Sequence, residues 1–169
     1  MISFFVEGKV ILDAMGAAGE VGHIKVNLEE TVACGCGGVG CVEQYASATG
    51  IVKMANKKLA ECDTSSVLRD AEVTPKAVFD AYKDGDEVAT EVVEKFGHYL
   101  GYSLAATAAV VDPEAFIIGG GVSKVGDVLI EVIQKYYKQY VWPRCRNKKF
   151  VLAKLGNDAG IYGAASYML

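Results

Sequence analysis

This sequence has no long apolar run and no excess of basic charge, and its first residues lack the pattern of a secretory leader. No apolar run approaches the length of a membrane span. The first six residues contain no basic segment and no cleavage region, so they do not resemble a signal peptide. The net charge of −4 provides no basic face of the kind that holds nucleic acid. We therefore expect neither a membrane nor a nucleic acid as a partner.

The composition is typical of a globular protein that buries a core, with 51% apolar and 22% charged residues. The 169 residues fit one ordinary domain, or one large piece of a two-lobed protein. Two of the five cysteines, Cys62 and Cys145, are isolated in the sequence. Because isolated cysteines fit a reducing compartment most simply, we expect a cytoplasmic location.

The other three cysteines form a dense cluster, Cys34, Cys36 and Cys41, in a glycine-rich segment without a carboxylate. One of only two histidines, His23, lies eleven residues before the first of them. Three thiolates and an imidazole are a complete tetrahedral ligand set for zinc, and glycines allow the positive-φ turns that aim such side chains at one point. Since four protein ligands leave no open position for water, the sequence predicts a structural zinc site.

A disulfide is the rival interpretation of this cluster. A bridge between Cys34 and Cys36 would close a very small loop and strain the bridge, and a cluster of three leaves one thiol over. Structural zinc also contributes more to folding, about 10–16 kcal/mol against about 2–4 kcal/mol for a disulfide. Zinc is therefore favoured. Free thiols in a glycine-rich loop, or a His23 that contacts only a substrate, would also account for the pattern.

Hydrophobic periodicity and turn residues predict strands that lead into helices through glycine turns. The predicted strands cover residues 2–6, 10–12, 24–28, 115–118 and 150–153, the last two being buried. The predicted helices cover residues 42–59, 75–84, 86–111, 127–140 and 159–167, with residues 104–111 buried nearly all round. This order is typical of an open α/β sheet with ligands at the strand ends.

A run of three glycines, Gly119, Gly120 and Gly121, follows one of these strands. Such a run could let a nucleotide lie against bare backbone, although it is neither a G-x-G-x-x-G fingerprint nor a P-loop. A tight turn between a strand and a helix is the simpler explanation. Asp158 is likewise more simply an N-cap of the last helix than a ligand contact.

Three polar residues near the cysteines are candidates for contacts with a ligand. Glu20 and His23 flank a short segment that contains a glycine, and Glu43 follows the last clustered cysteine. Carboxylates and an imidazole are good partners for the hydroxyls of a polyol. The simpler explanations are a solvated Glu20, a His23 used by zinc alone, and a Glu43 that interacts favourably with a helix dipole.

Together these motifs resemble one family. Residues 16–23 read Gly-Ala-Ala-Gly-Glu-Val-Gly-His, and residues 34–47 read Cys-Gly-Cys-Gly-Gly-Val-Gly-Cys-Val-Glu-Gln-Tyr-Ala-Ser. Both resemble the ROK family of bacterial sugar kinases and repressors. Residues 46–51 and 155–165 are most similar to ROK glucokinases. The resemblance extends over essentially the whole chain.

The resemblance implies an α/β protein with the actin-like ATPase (ribonuclease H-like) fold. Residues 1–169 would be a single domain that corresponds to the C-terminal lobe and carries a zinc-bearing loop. The implied zinc ligands are His23, Cys34, Cys36 and Cys41. The implied sugar contacts are Glu20, His23 and Glu43, so that one ring nitrogen of His23 would contact sugar and the other the metal. Gly119, Gly120 and Gly121 would lie under the adenosine of ATP.

The sequence also departs from the family pattern. The family's catalytic Asp belongs to an Asn-Asp segment of the N-terminal lobe, and neither that segment nor the Asp-x-Gly-Gly-Thr phosphate motif is found in this chain. The Asn-Asp pair at residues 157–158 belongs to the closing segment and does not match it. Because the sequence begins with the predicted hairpin, without a preceding strand, we expect an upstream half to be missing. Loss of a positioned base costs roughly 10²–10⁴ in rate, and loss of the phosphate contacts costs more.

Two functions are therefore expected from the sequence. The first is ATP-dependent phosphorylation of a hexose, with glucose as the leading candidate and Mg²⁺ accompanying ATP, as part of a ROK glucokinase. The second is a non-enzymatic role as the sugar-sensing or oligomerisation domain of a ROK repressor. In either case we expect a homo-oligomer, such as a dimer.

Overall fold

The computed structural model describes residues 4–11 and 17–154. Within them, the helices are α1 (Glu43–Ala46), α2 (Ala48–Glu61), α3 (Pro75–Lys83), α4 (Glu87–Val111) and α5 (Asp127–Tyr140). The strands are β1 (Phe5–Val6), β2 (Lys9–Val10), β3 (Ala115–Ile118) and β4 (Lys149–Leu152). No helix in these two ranges is both long and apolar enough to cross a membrane.

The long helix α4 is the centre of the core, because it packs against α2, α3 and α5. The side chains that are almost completely buried around it come from all four helices, and the largest are Tyr137, Phe79, Phe96, Ile51, Leu129 and Ile133. Phe79 and Phe96 meet edge to face with ring centroids 5.7 Å apart. The core is thus built from helix faces, as the periodicity predicted.

The ends of three predicted helices, those of α3, α4 and α5, are placed correctly to within one residue. Thr74 accepts a hydrogen bond from the backbone of Ala77 and is followed by a proline at the first turn of α3. Asp86 caps α4 in the same way, and α4 ends at Asp112, whose φ of 44° is left-handed. The predicted bounds of α5 are confirmed as well.

The predicted α/β character is confirmed by a parallel pair of strands. β3 pairs with β4 in a register that puts Phe116 opposite Phe150, and α5 lies between them in the sequence. The expectation that both strands are buried is wrong, because Ile117 is 67% exposed and Val151 is 45% exposed. Side chains alternate along a strand, so Phe116 packs toward Tyr137 of α5 while Ile117 points to the opposite, open face.

The predicted hairpin near the start of the chain is also present. β1 and β2 are antiparallel, and the two turn residues, Glu7 and Gly8, have φ values of 51° and 76°. Two consecutive positive φ values are the pattern of a tight two-residue hairpin turn. The strands are shorter than the predicted 2–6 and 10–12, of which residues 2, 3 and 12 lie outside the described residues.

One predicted strand, residues 24–28, is wrong. This segment forms a single antiparallel bridge between Lys25 and Cys41 and no strand. The oxygen of Gly40 accepts hydrogen bonds from the backbone of both Val26 and Asn27, at 2.8 and 3.3 Å. Because one carbonyl serves two consecutive N–H groups, the ladder cannot continue.

The single helix predicted over residues 42–59 is instead two helices. Ser47 has an extended backbone, ends α1 and caps α2 by accepting from the backbone N–H of Gly50. A Cβ on Gly50 would lie only 2.7 Å from the oxygen of Gln44, so the end of α1 and the start of α2 are in close contact here. The break lets α1 turn toward the cysteine segment.

The prediction that residues 104–111 are buried nearly all round is wrong for the end of α4. Leu104, Ala105 and Ala108 are buried, but Val110 is 83% exposed and Val111 is 43% exposed. The neighbouring elements cover only one face of this helix, and the periodicity of 3.6 places Val110 and Val111 away from it. The last predicted helix, residues 159–167, and Asp158 lie outside the described residues.

Two glycines of α4 set its distance from α5. A Cβ on Gly101 would lie 2.6 Å from both the Cβ of Tyr136 and the backbone nitrogen of Tyr137. A Cβ on Gly97 would lie 2.5 Å from a methyl carbon of Val132. These contacts are too short for any side chain, so the two helices approach each other because both positions are glycine.

We predict that Gly101→Ala lowers the free energy of unfolding. Overpacking costs about 1–3 kcal/mol, which exceeds the about 0.5–1 kcal/mol that alanine contributes in a helix interior. Urea titration followed by circular dichroism measures the difference. Gly121→Ala is the control, because a Cβ there meets no atom within 4 Å. Equal stability of the Gly101→Ala variant and the wild type would contradict the close packing of α4 on α5.

We also predict that Asp86→Ala destabilises the chain by about 0.5–2 kcal/mol, since the N-cap of α4 is lost. Burial acts to raise the pKa of Asp86, but hydrogen bonds from Ala89, Ser66 and Val67 outweigh it and lower that pKa. The carboxylate's contribution is therefore complete above its unfolded pKa of about 3.9 and is lost as the pH falls through the folded value.

The measurement is the unfolding free energy of wild type and Asp86→Ala between pH 3 and 7, with Asp84→Ala as the control for removing a nearby exposed aspartate. The difference between wild type and Asp86→Ala should be constant above about pH 4 and shrink below it. A difference that grows as the pH falls would show that the sign is wrong.

Candidate metal centre

His23 ends a short 3-10 turn, Val21–His23, which packs against α1. The backbone N–H of His23 donates to the oxygen of Glu20, and Val21 is buried under the turn. The turn is therefore held in place by its buried valine, while the imidazole of His23 remains one-third exposed, at 33%. A side chain in this position can contact the protein on one side and a ligand on the other.

The cysteine segment, residues 32–41, folds back on the residues that follow His23. Besides the bridge between Lys25 and Cys41, a second antiparallel bridge joins Ala33 to Val39. Gly40 has a φ of 70°, and a Cβ there would lie 1.9 Å from the backbone oxygen of Asn27. Glycine is thus required at this position, both for the backbone conformation and for the close approach of the two arms.

This folding brings all four predicted ligands together. The donor atoms of His23, Cys34, Cys36 and Cys41 all lie within 4.8 Å of one another. Cys36 Sγ lies 3.6 Å from Cys41 Sγ, and Cys34 Sγ lies 4.0 Å from His23 Nδ1. Zinc–sulfur bonds of about 2.3 Å in a tetrahedron place sulfur atoms about 3.8 Å apart. The donor set and its spacing therefore fit zinc, and all five cysteines are free thiols.

A lysine that the sequence did not single out contacts this cluster. Lys25 Nζ lies 2.8 Å from Cys41 Sγ, and this hydrogen bond raises the pKa of Lys25. A hydrogen bond from the backbone of Gly38 lowers the pKa of the exposed Cys36 thiol, and Cys41 contributes in the same direction. Burial raises the pKa of Cys41, although Lys25 opposes that effect.

Two carboxylates face the other nitrogen of the same imidazole. His23 Nε2 lies 3.8 Å from Glu20 Oε2 and 3.9 Å from Glu43 Oε2, and both side chains are at least one-third exposed, at 36% and 51%. Glu43 is the first residue of α1, and its side chain lies beside Gly22 of the 3-10 turn. The structure therefore brings together the three residues predicted to contact a ligand.

Tyr45 of α1 fixes this region to the core. Its hydroxyl donates to Glu30 Oε2 at 2.5 Å and accepts from Asn27 Nδ2 at 2.9 Å. Its ring stacks on Tyr99 of α4 with centroids 4.2 Å apart. Burial, and then the bond to Glu30, raise the pKa of Tyr45, while the same bond lowers the pKa of Glu30. Tyr45 thus remains a neutral donor to an ionised carboxylate.

Gln44, next to Tyr45, makes a second connection to the same segment. Its side-chain oxygen accepts from the backbone N–H of Cys41 at 3.0 Å, and its side-chain nitrogen donates to the oxygen of Val32 at 2.9 Å. One amide therefore holds both ends of the cysteine segment. Together, Gln44 and Tyr45 explain why the short helix α1 points toward the cysteine cluster.

The three candidate nucleotide contacts lie elsewhere, at the C-terminal end of β3. Gly120 has a φ of 83°, and its oxygen accepts from the backbone and the hydroxyl of Ser123 at 3.1 and 2.7 Å. Gly119 and Gly121 flank it, and all three are exposed. The turn that the sequence predicted is present, and its bare backbone is open to solvent.

Sequence reasoning missed Lys25, Glu30 and Gln44. Lys25 carried no clear signal, because its partner Cys41 lies 16 residues away in the sequence. Glu30 carried no such signal either, since its partner Tyr45 lies 15 residues away, and neither did the bond from Gln44 to Val32, which lies 12 residues away. The bond of Gln44 to Cys41, three residues before it, is local.

The curated proteins that resemble this sequence include a glucokinase and a xylose repressor. The sequence is 40% identical over 161 residues to a glucokinase from Halalkalibacterium halodurans, covering 92% of this chain and 49% of that protein. It is 28% identical over 168 residues to a xylose repressor from Caldicellulosiruptor bescii, covering 97% of this chain and 42% of the repressor.

The structure is similar to the crystal structure of a ROK family glucokinase from Streptomyces griseus in complex with glucose and AMPPNP. The TM-score is 0.85 at 31% identity, and the match covers 98% of this chain and 55% of that one. This similarity implies the actin-like ATPase fold that was expected from the sequence. The chain spans about half the length of the curated relatives it matches.

The family assignment rests on a match that extends over nearly the whole chain. The sequence fits the ROK family from residue 2 to residue 169. The cysteine cluster, His23 and the following Glu43 lie within that match, together with the glycine turn after β3. The chain therefore belongs to the ROK family.

Proposed function

We propose that this chain is part of an ATP-dependent hexose kinase and supplies its sugar site, with glucose as the first candidate substrate. The observation that carries the proposal is the convergence of Glu20 and Glu43 on one nitrogen of His23, beside a set of thiols that faces the other nitrogen. The 40% identity to a glucokinase supports the same reaction. The 169 residues would form the C-terminal lobe of the complete protein, and we expect that protein to be a cytoplasmic homodimer.

The sugar would be held by hydrogen bonds to its hydroxyl groups. Ionised carboxylates only accept, so Glu20 and Glu43 would each accept from a hydroxyl of the sugar. His23 Nε2 lies between them and would donate to a hydroxyl oxygen. Bonds to charged partners are about twice as strong as neutral ones, which suits a polar ligand that offers little apolar surface.

Zinc would supply structure and not reaction chemistry at this site. His23, Cys34, Cys36 and Cys41 would hold it, and these four ligands leave no open position for a reacting water. A bound metal would fix the ring orientation of His23 and so aim Nε2 at the sugar. A variant that loses the metal would therefore lose the sugar site as well.

The nucleotide would lie against the exposed turn of Gly119, Gly120 and Gly121, where no side chain obstructs the backbone. Open α/β sheets bind ligands at the carboxyl ends of their strands, and this turn follows β3 directly. ATP would carry Mg²⁺, as is general in phosphoryl transfer. The catalytic Asp would come from the other half of the complete protein.

The metal prediction is tested by elemental analysis of the purified chain. We expect about one zinc per wild-type chain and a large loss in Cys36→Ser, because structural zinc in a four-ligand site contributes on the order of 10 kcal/mol. Cys62→Ser is the matched control, since Cys62 lies outside the cluster. Equal zinc content and equal melting temperatures of wild type and Cys36→Ser would refute the metal centre.

The sugar site is tested by calorimetric titration of the chain with glucose. Glu20→Gln and Glu43→Gln should each weaken glucose binding about 10- to 100-fold, because a hydrogen bond to a charged group contributes about 1.5–3 kcal/mol. Glu61→Gln is the control, since Glu61 pairs with Lys57 at the far end of α2. Wild-type affinity in both site variants would place the sugar elsewhere.

A coupled assay with glucose and ATP tests the reaction itself. We expect turnover by the isolated chain to be at least about 10²-fold below that of a complete glucokinase, since a positioned base contributes this much. Ready turnover by the 169 residues alone would show that the chain contains its own base.

Sugar sensing without catalysis is the second candidate, favoured by the 28% identity to a xylose repressor. A ROK family transcriptional regulator, a homologue of the E. coli MLC protein, also shares the fold with a TM-score of 0.76 at 26% identity. The two candidates share the sugar site and differ in the half of the related proteins that this chain does not cover. The coding sequence immediately upstream distinguishes them, because an Asn-Asp segment indicates the kinase and a helix-turn-helix indicates the repressor.

A further inference from the structure

We propose that Lys25 is a positioning residue of the metal centre, where its ammonium group holds the Cys41 thiolate and balances the charge of the four-ligand site. The inference rests on the proposed zinc site, and it adds a fifth side chain that is not a ligand. It follows from the position of Lys25 relative to two of the thiols, from the glycine that makes room for it and from the charge of the complete site.

The first observation is a direct contact. Lys25 Nζ lies 2.8 Å from Cys41 Sγ, within the distance of a hydrogen bond to sulfur. Cys41 is fully buried, so water does not solvate its sulfur. The backbone bridge between Lys25 and Cys41 also fixes the two residues opposite each other. The lysine is therefore the group that meets the charge of this buried thiol.

The second observation concerns Gly38. A Cβ at this position would lie 2.3 Å from Lys25 Nζ and 3.6 Å from Cys36 Sγ. Gly38 has no positive φ, so its backbone does not require glycine. The space that its missing side chain leaves is occupied by the lysine head group. The ammonium group of Lys25 therefore lies between Gly38 and Cys41.

The third observation is the balance of charge. Three thiolates, one neutral imidazole and Zn²⁺ together carry a net charge of −1. Glu20 and Glu43 place further negative charge near the same imidazole. One ammonium group on the thiolate side brings the four-ligand unit to neutrality. Residues that contact metal ligands in this way typically change metal affinity 10–100-fold when mutated.

The experiment measures zinc affinity by competition with a chromophoric chelator. Lys25→Met removes the charge but keeps most of the apolar stem, and we expect it to weaken zinc binding about 10- to 100-fold. Lys25→Arg keeps the charge and should recover most of the affinity. Gly38→Ala should weaken binding as well, because it displaces the ammonium group without removing it. Lys53→Met, on the exposed side of α2, is the control.

Cobalt(II) in place of zinc separates positioning from a general effect on folding. The thiolate-to-cobalt charge-transfer band reports the electron density on the sulfur ligands. We expect this band to shift in Lys25→Met and to be unchanged in Lys53→Met. The melting temperature of each metal-free variant shows whether the fold is intact, so that a weakened but folded variant supports the proposal.

Three outcomes are decisive. Weaker zinc binding with a shifted cobalt band in Lys25→Met supports the role of Lys25. Wild-type affinity together with a wild-type cobalt band in Lys25→Met overturns it and leaves the metal centre standing. Failure of the wild-type chain to bind either metal overturns the proposed centre, and the role of Lys25 with it.

Discussion

The imidazole of His23 is the group on which the candidate site depends, because its two nitrogens face different chemistry. Nδ1 lies 4.0 Å from a thiol of the cysteine cluster, and Nε2 lies within 4 Å of two carboxylates. A planar ring cannot turn to improve one set of contacts without disturbing the other. The cysteine segment, although it follows His23 by eleven residues, therefore decides how the carboxylate side of the site is arranged. Metal ligands oriented through their second nitrogen are the general form of this coupling.

The short helix α1 connects this site to the rigid core. The ring of Tyr45 stacks on Tyr99 of α4, while its hydroxyl donates a hydrogen bond to Glu30, just before the cysteine segment. This arrangement needs the chain to break at Ser47, since a straight helix over residues 42–59 would carry α1 away in the direction of α2. The capping hydroxyl of Ser47 compensates for the break by satisfying a free N–H at the start of α2. The break between α1 and α2 at Ser47 thus positions the site.

Local signals in the sequence were sufficient for α3, α4 and α5, because an N-cap, a proline or a left-handed residue acts over one turn of the chain. They were not sufficient where distant residues decide the outcome. The alternating segment 24–28 failed to form a strand because Gly40 accepts from two of its N–H groups. Val110 and Ile117 are apolar yet exposed, since the elements packed around them cover one face only. The clustering of His23 with the three cysteines could be predicted from spacing and residue type alone, whereas the bonds from Tyr45 to Glu30 and from Gln44 to Val32 join residues that no sequence pattern relates.

The tautomer of His23 links the two halves of the proposed site in one further step. A nitrogen that binds a metal carries no proton, so a zinc-bound Nδ1 leaves the ring proton on Nε2. Nε2 is then a donor, which matches the acceptors on either side of it, Glu20 and Glu43. A hydroxyl group placed among them can accept from the imidazole and donate to a carboxylate at the same time. With the opposite tautomer Nε2 would be an acceptor among acceptors, and only the hydroxyl's single proton would be available to all three. With zinc bound as proposed, the thiol cluster would select the tautomer in which the carboxylates and the imidazole act together on a polyol.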